Sequence, residues 1–405
     1  MSMFADVDLC PPDLIFGIRD ELIADTDPRK VSLLIGAYRT EEGKPLVLPV
    51  VRTVEKQISN DETLNHEYLP IEGMPSFCSA ASKLALGPDS KALVENRVAY
   101  VQTLSGTGAV RLALQFLNKF HAGKSVYVPK PTWGNHKKIA IHAGFNDIKE
   151  YAYFDPNTKS LDINGAIRDL EAAVEGSIVI FHGCAQNPCG VDPSEDDWKA
   201  FGQVVVRRKL ICVMDFAYQG FVSGDPDVDA FSLRHFESLG VELFFCQSFA
   251  KIFGLYNERI GNLGVVCNDS TLAMNVKSHL KAFIRPMYSN PPAHGARIVA
   301  TILNNKALDS EWREQLKSMA DRILRARQLL NSKLKEAEVP GDWSHILSQK
   351  GMFTFTGLTA KQVAVLKEKH HMYMLPNGRI NMCAVTEGNV DYVVQAFKDV
   401  VVNVV

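Results

Sequence analysis

The stretch QSFAKIFGLYNER, residues 247–259, follows an apolar run, Val241 to Cys246, that predicts a buried strand. One lysine, Lys251, stands in this stretch among apolar and aromatic neighbours. Such surroundings disfavour the charged ammonium and favour a neutral, nucleophilic amine. Ser248 and Arg259 flank the lysine and offer hydrogen bonds to an anion. The stretch therefore indicates a Schiff-base lysine beside a phosphate site. The alternative is that the lysine only extends its charged end from a strand into solvent.

Four more apolar runs of strand length accompany this one, and helix-length segments separate most of them. The runs are residues 125–128, 177–181, 210–214 and 262–267. This spacing predicts an α/β fold with a parallel sheet covered by helices on both faces. Ligands bind outside the carboxyl ends of the strands in such sheets.

Side chains suited to a flat, charged ligand follow four of these strands. They are Trp133, Asn187, the group Asp215, Ala217 and Tyr218, and Lys251. A fifth element, Ser105-Gly106-Thr107, precedes an apolar helical run and offers backbone N–H groups and hydroxyls to a phosphate. Its glycine signal is weak alone, because it is neither GxGxxG nor a Walker loop. Together these groups predict a cofactor site.

Pyridoxal phosphate needs such a set: an anion cradle, a lysine, a carboxylate for its ring nitrogen and flat contacts on its faces. Asp215 can keep the pyridine nitrogen protonated, although an Asp at a strand end can also simply cap a loop. Tyr218 and Asn187 can share the ring hydroxyl, while Trp133 and Ala217 fit the two ring faces.

The chain resembles the aspartate aminotransferases, class I pyridoxal-phosphate enzymes of fold type I. The matching segments occur in family order between residues 36 and 383: GAYRT (36–40), NHEYLP (65–70), SGTGA (105–109), PTWGNH (131–136), NP-C-GVDP (187–193), MDFAYQGF (214–221), QSFAK-FGLYNERIGNL (247–263), SNPPAHGARIV (289–299) and GRINMC (378–383). The resemblance thus covers nearly the whole chain.

The resemblance implies a role for each matching residue. Lys251 would form the Schiff base with pyridoxal 5'-phosphate, and Asp215, supported by His136, would bind the ring nitrogen. The other implied cofactor contacts are Ser105, Gly106, Thr107, Ser248 and Arg259 at the phosphate, Trp133, Ala217, Asn187 and Tyr218 at the ring, and Tyr68 from the neighbouring subunit of a homodimer. Lys251, Asp215 and Tyr218 would form the catalytic set. Substrate would meet Gly36, Trp133, Asn187 and Arg379, with Arg285 contributed by the neighbouring subunit.

The expected reaction moves an amino group reversibly between L-aspartate and 2-oxoglutarate by a ping-pong route, giving oxaloacetate and L-glutamate. A dicarboxylate in a closed site needs one planar guanidinium at each end, and Arg379 and Arg285 would supply them. An aromatic or broad-specificity aminotransferase is the nearest alternative, since Arg285 could swing aside. A non-catalytic phosphate-binding relative and a lyase of the same fold type are the others. Ala250 and Ile252 depart from frequent serine and asparagine and make the surroundings of Lys251 more apolar.

The composition bears on possible partners, metal sites and cellular setting. The 44 basic and 46 acidic residues nearly cancel, which gives no argument for nucleic acid or an anionic membrane as partner. The eight cysteines form no CxxC pair and the histidines no HExxH motif, so we expect reduced thiols, a cytoplasmic setting and no metal site. We also expect no membrane span and neither a secretory signal nor a transit peptide.

The resemblance implies a large domain with a mostly parallel, seven-stranded sheet, a smaller α+β domain and an N-terminal arm. We expect the arm at residues 1–11, the large cofactor-binding domain at 43–314, and the small domain at 12–42 and 315–405. Apolar spacing predicts helices at 12–24, 309–336 and 360–369, and strands at 31–39, 351–356 and 379–383.

Overall fold

The computed structural model describes residues 2–34, 36–121 and 123–404. A seven-stranded sheet forms its centre, with the strand order β2-β10-β9-β8-β7-β3-β4. These strands are β2 (Val98–Leu104), β3 (Val126–Lys130), β4 (Ile148–Ala152), β7 (Ile178–His182), β8 (Ile211–Phe216), β9 (Leu243–Ser248) and β10 (Ile260–Val266). The predicted α/β fold and its sheet are therefore confirmed.

Five strands of this sheet, β4, β3, β7, β8 and β9, run parallel to one another. Strand β10 is the exception, because it pairs antiparallel with both β9 and β2. Only the short segment 249–259 separates β9 from β10. The chain returns along β9 without a crossover helix, which is possible only for antiparallel neighbours.

Helices cover both faces of the sheet, as its apolar strands require. The helices that precede residue 306 are α1 (Leu14–Ala24), α2 (Pro49–Asn60), α3 (Pro75–Leu86), α4 (Lys91–Val94), α5 (Ser105–Phe120), α6 (Asn135–His142), α7 (Ile163–Glu171), α8 (Glu195–Arg208), α9 (Phe231–Ser238), α10 (Ser270–Tyr288) and α11 (His294–Leu303), although not all of them pack on this sheet. A hairpin of β5 (Phe154–Asp155) and β6 (Ser160–Leu161) lies outside the sheet. None of the helices in the described ranges is long and apolar enough to cross a membrane.

The C-terminal quarter forms a smaller α+β unit with short strands. Its elements are α12 (Lys306–Glu336), α13 (His345–Ser348), β11 (Phe353–Phe355), α14 (Ala360–His370), β12 (Met372–Tyr373), β13 (Arg379–Asn381), a 3-10 turn (Met382–Ala384) and α15 (Val390–Asn403). Strand β11 pairs with β13, and β12 pairs with β1 (Val31–Ser32) from the start of the chain. One apolar core joins this unit to α2, α3 and α11.

The predicted strand over residues 31–39 is wrong beyond Ser32. Past that point the backbone pairs irregularly: Asn381 N donates to the Leu33 carbonyl, Arg379 to the Leu34 carbonyl, and Tyr38 N to the Tyr256 hydroxyl. Ile35 lies outside the described residues. Because these backbone groups are bonded to residues of other segments in this irregular way, they do not continue the ladder of β1. Gly36 and Ala37 line the cavity described below.

The remaining boundaries differ by a few residues and have local causes. Helix α1 begins at Leu14 because the Asp13 carboxylate accepts hydrogen bonds from the N–H groups of Ile15 and Phe16. Helix α12 begins three residues earlier than predicted, where Asn305 caps it. The described part of the N-terminal segment, residues 2–12, is exposed, including the apolar side chains Met3 and Leu9.

Candidate active site

Lys251 follows β9 and is half-buried, because it lines a cavity of about 740 Å³ at the carboxyl ends of the parallel strands. Its Nζ lies 5.0 Å from the centroid of the Tyr218 ring. Burial lowers the pKa of Lys251 below its usual value, and nearby Asp215 only partly offsets this effect. The protonation equilibrium of Lys251 is therefore shifted toward the neutral amine.

Asp215 lies near the end of β8 in a buried chain of hydrogen bonds. Its Oδ2 is 3.1 Å from His136 Nε2, and His136 Nδ1 is 2.7 Å from the Thr132 hydroxyl. The same hydroxyl is 3.1 Å from His182 Nε2 at the end of β7. Burial alone would raise the pKa of Asp215, but His136, His182 and Lys251 together hold it below its usual value. The carboxyl group is therefore anionic, and Asp215 lines the cavity.

The N-terminus of α5 and the loop after β9 form a cradle of small polar groups. The Ser105 and Ser248 hydroxyls are 3.1 Å apart, and Ser105 N donates to the Arg259 carbonyl. A Cβ on Gly106 would lie 3.0 Å from Ser248 Cβ, so a side chain at this position would crowd the cradle. Thr107 and Arg259 also line the cavity. Hydroxyls, helix N–H groups and a guanidinium make this cradle suitable for a phosphate.

Arg379, at the start of β13, is buried and lines the same cavity. Its Nη2 donates to the Leu34 carbonyl at 2.6 Å and its Nη1 to Asn187 Oδ1 at 3.4 Å. The guanidinium carbon lies 4.2 Å from the centroid of the Phe353 ring. Burial lowers the pKa of Arg379 to about 10, so it stays charged at neutral pH. Its buried Nε has no hydrogen-bond partner in the described protein and remains able to donate to a bound carboxylate.

The structure brings most of the predicted site residues to one cavity. Those that line it are Gly36, Ser105, Gly106, Thr107, Trp133, Asn187, Asp215, Ala217, Tyr218, Ser248, Lys251, Arg259 and Arg379. His136 lies behind Asp215. Tyr68 and Arg285 do not line the cavity: Tyr68 is 80% exposed, and Arg285 Nη1 donates to Ser289 Oγ on the surface. One chain alone therefore does not place these two residues at the site.

Several lining residues were not predicted. Phe353 and Tyr256 contribute rings, and α1 contributes the apolar side chains of Leu14, Ile15 and Phe16. The position of Tyr256 within the stretch 247–259 was an available signal. Phe353 offered none, because it reaches the cavity from β11 across a long separation in sequence.

The family model described as aminotransferase class I and II matches residues 28–397. The chain belongs to this family. It is a pyridoxal-phosphate-dependent transaminase.

Individual class I and II aminotransferases match over the whole chain. "Aspartate aminotransferase, cytoplasmic" from Gallus gallus is 48% identical over 408 residues, which cover 100% of this chain and 99% of the relative. The solved structure of the aspartate aminotransferase from Saccharomyces cerevisiae cytoplasm is 42% identical, with a TM-score of 0.97 and coverage of 100% and 99%. An aromatic-amino-acid aminotransferase from Burkholderia pseudomallei, solved covalently bound to pyridoxal phosphate, is 38% identical, with a TM-score of 0.96 and coverage of 99% and 100%.

The two departures near the lysine are accommodated in this aminotransferase. Ala250 and Ile252 are both buried, and Ala250 N donates to Ser248 Oγ at 3.3 Å. The Ile252 carbonyl accepts from Trp312 Nε1 on α12 at 2.8 Å. The loop that carries Lys251 is thus fixed on both sides of the lysine.

Proposed function

We propose that this transaminase is an aspartate aminotransferase that exchanges an amino group between L-aspartate and 2-oxoglutarate by a ping-pong route. The observation that carries the proposal is Arg379, a buried guanidinium with a free donor, facing a cavity that also holds Lys251. The names of the relatives from Gallus gallus and Saccharomyces cerevisiae support the same activity.

The residues present fit pyridoxal phosphate, which when bound supplies an electron sink for charge developing at the substrate α-carbon. Ser105, Gly106, Thr107, Ser248 and Arg259 would hold its phosphate, and Lys251 would attach it covalently. Asp215 would keep its ring nitrogen protonated, and the His136 contact at 3.1 Å would keep that carboxylate oriented. Trp133 and Ala217 would contact its faces, and Asn187 and Tyr218 its ring oxygen.

Lys251 Nζ would then act as the general base of the reaction. Its lowered pKa makes the neutral amine more accessible near neutral pH, and a neutral amine can take the proton from the substrate α-carbon. The adjacent Tyr218 ring, 5.0 Å from Nζ, restricts the positions that the amine can adopt. Burial raises the pKa of Tyr218, so its hydroxyl stays protonated and can donate a hydrogen bond.

Arg379 would bind the substrate α-carboxylate, and Arg285 of a second subunit would bind the distal carboxylate. A buried carboxylate needs a charged partner, because leaving either charge unpaired costs several kcal/mol. We propose a homodimer in which Tyr68 and Arg285 complete the neighbouring site; the exposure of both side chains in the single chain supports this. We also propose the domain division at residues 1–11, 12–42 with 315–405, and 43–314, and a cytoplasmic location, as in the Gallus gallus relative's name.

An aromatic or broad specificity is the second candidate. The apolar side chains of Leu14, Ile15 and Phe16 at the cavity and the Burkholderia pseudomallei aromatic aminotransferase favour it. A coupled assay with aspartate, glutamate, phenylalanine and kynurenine as donors decides between the two. We expect the highest kcat/KM with aspartate and glutamate, and an Arg285→Leu variant should lose aspartate activity by about 100-fold or more. Full aspartate activity in that variant would contradict the assignment.

A further inference from the structure

Arg327 is a fully buried guanidinium that the proposed reaction does not use. It lies in the C-terminal half of α12 and is 1% exposed. Within the described ranges it forms no ion pair; four acceptors of one short segment surround it instead. Its Nη1 donates to the Ile346 carbonyl at 3.0 Å and to Thr354 Oγ1 at 2.7 Å, and its Nη2 to the carbonyls of Gly351 at 2.8 Å and Phe353 at 2.5 Å.

These bonds bracket Phe353, whose ring forms part of the cavity wall. One nitrogen of Arg327 holds the carbonyl of Phe353 itself and that of Gly351 two residues earlier. The Phe353 ring lies 4.2 Å from the Arg379 guanidinium carbon and 5.9 Å from the Tyr218 ring centroid. A Cβ on Gly36 would lie 2.8 Å from Phe353 Cζ, so the ring also abuts the backbone at Gly36.

We propose that Arg327 is a positioning residue for substrate binding: it fixes Phe353, and Phe353 fixes the plane of the Arg379 guanidinium that receives the substrate carboxylate. The inference rests on the proposed role of Arg379. Strand β11 has only three residues and cannot hold Phe353 firmly through its ladder with β13. The planar guanidinium of Arg327 donates both to the Gly351 carbonyl before β11 and to the Thr354 hydroxyl within it. A lysine ammonium is a single point donor and cannot reach both acceptors at once.

The charge of Arg327 has an electrostatic cost that the segment must offset. Burial lowers the pKa of Arg327 to about 9, which leaves it charged at neutral pH, and Nε has no partner among the described residues. A buried charge without a carboxylate is retained only where its hydrogen bonds compensate for the lost hydration. All four hydrogen bonds that offset this cost go to the segment 346–354, which carries Phe353 beside Arg379.

The test compares Arg327→Lys with Asn331→Leu in the full-length, cofactor-loaded enzyme. Asn331 lies one turn further along α12, is also buried, and donates to the Trp343 carbonyl at 2.9 Å, away from Phe353. Arg327→Lys should raise KM for aspartate and 2-oxoglutarate about 10-fold or more with a smaller change in kcat, since a misplacement on the order of 1 Å has effects of this size. Asn331→Leu should lower the melting temperature and leave KM within about twofold.

A double variant separates positioning from general destabilisation. If Arg327 acts through Phe353, Arg327→Lys should raise KM by less than about twofold in a Phe353→Leu background, because coupled residues are not additive. Equal effects in both backgrounds, or an equal KM rise in Asn331→Leu, would overturn the proposal. A crystal structure of Arg327→Lys should show Phe353 and Arg379 displaced, and unchanged positions would also overturn it. This structural readout stands even if the wild type transaminates no dicarboxylate, a result that would overturn the proposed function alone.

Discussion

Lys251 carries the chemistry of the proposed site, and its partial burial has a measurable consequence for stability. Burial holds its pKa below the usual 10.5. At a pH between the folded-state pKa and 10.5 the unfolded chain binds more protons than the folded chain, so the free energy of unfolding rises as pH rises through this window. At pH values below the folded-state pKa, Lys251 is charged in both states, and the full cost of burying the ammonium lowers the free energy of unfolding.

We therefore expect cofactor-free Lys251→Met to melt at a higher temperature than the cofactor-free wild type at pH 7. The difference should shrink as the pH approaches 10.5, where the unfolded lysine also loses its proton. Thermal melts followed by circular dichroism across this range measure it. Lys44→Met, which removes an exposed lysine, is the matched control. A Lys251→Met protein that melts no higher than the wild type at pH 7 would show that burial of the amine carries no cost.

At the scale of elements, the start of α5 is a part of the site with little room for added volume. A Cβ on Gly106 would lie 3.0 Å from Ser248 Cβ, whereas a Cβ on Gly388, an exposed residue that does not line the cavity, would lie 3.8 Å from Thr386 Oγ1. Gly106→Ala should weaken pyridoxal phosphate binding about 10-fold, because overpacking costs on the order of 1–3 kcal/mol. Gly388→Ala should bind the cofactor like the wild type in the same absorbance titration. Equal affinities of the two variants for pyridoxal phosphate would show that the phosphate cradle has room for a side chain at Gly106.

The elements also show which features the sequence could predict. Apolar runs and their spacing predicted the sheet, because parallel strands are buried on both faces and their carboxyl ends meet at one edge. Asp215, Ser248 and Lys251 were found for that reason. Phe353 was not, since its place beside Arg379 depends on a β11–β13 pairing and on Arg327, which lies on another element. The residues after Ser32 looked like the continuation of a strand because Leu33 and Leu34 are apolar, and apolar residues also suit a buried segment without a regular strand partner.

At the scale of the whole molecule, the proposed homodimer makes a test by complementation possible. Lys251→Ala and Arg285→Leu should each be inactive toward aspartate. If Arg285 serves the neighbouring site, a hybrid dimer of the two variants holds one site with both lesions and one with neither. Mixing equal amounts under conditions of subunit exchange should restore about one quarter of wild-type activity, as random pairing in a two-fold dimer requires. Absence of recovery in verified hybrid dimers would place Arg285 in the site of its own chain.

The most direct measurement is the covalent mapping of the cofactor. The protein is loaded with pyridoxal phosphate, reduced with borohydride, digested and sequenced by mass spectrometry. We expect a visible absorption band that disappears on reduction, and a single pyridoxyl label on Lys251, in the peptide that contains QSFAK. In Lys251→Ala the label should be absent and aspartate transamination should be lost. A label on another lysine, or full transaminase activity in Lys251→Ala, would contradict the account.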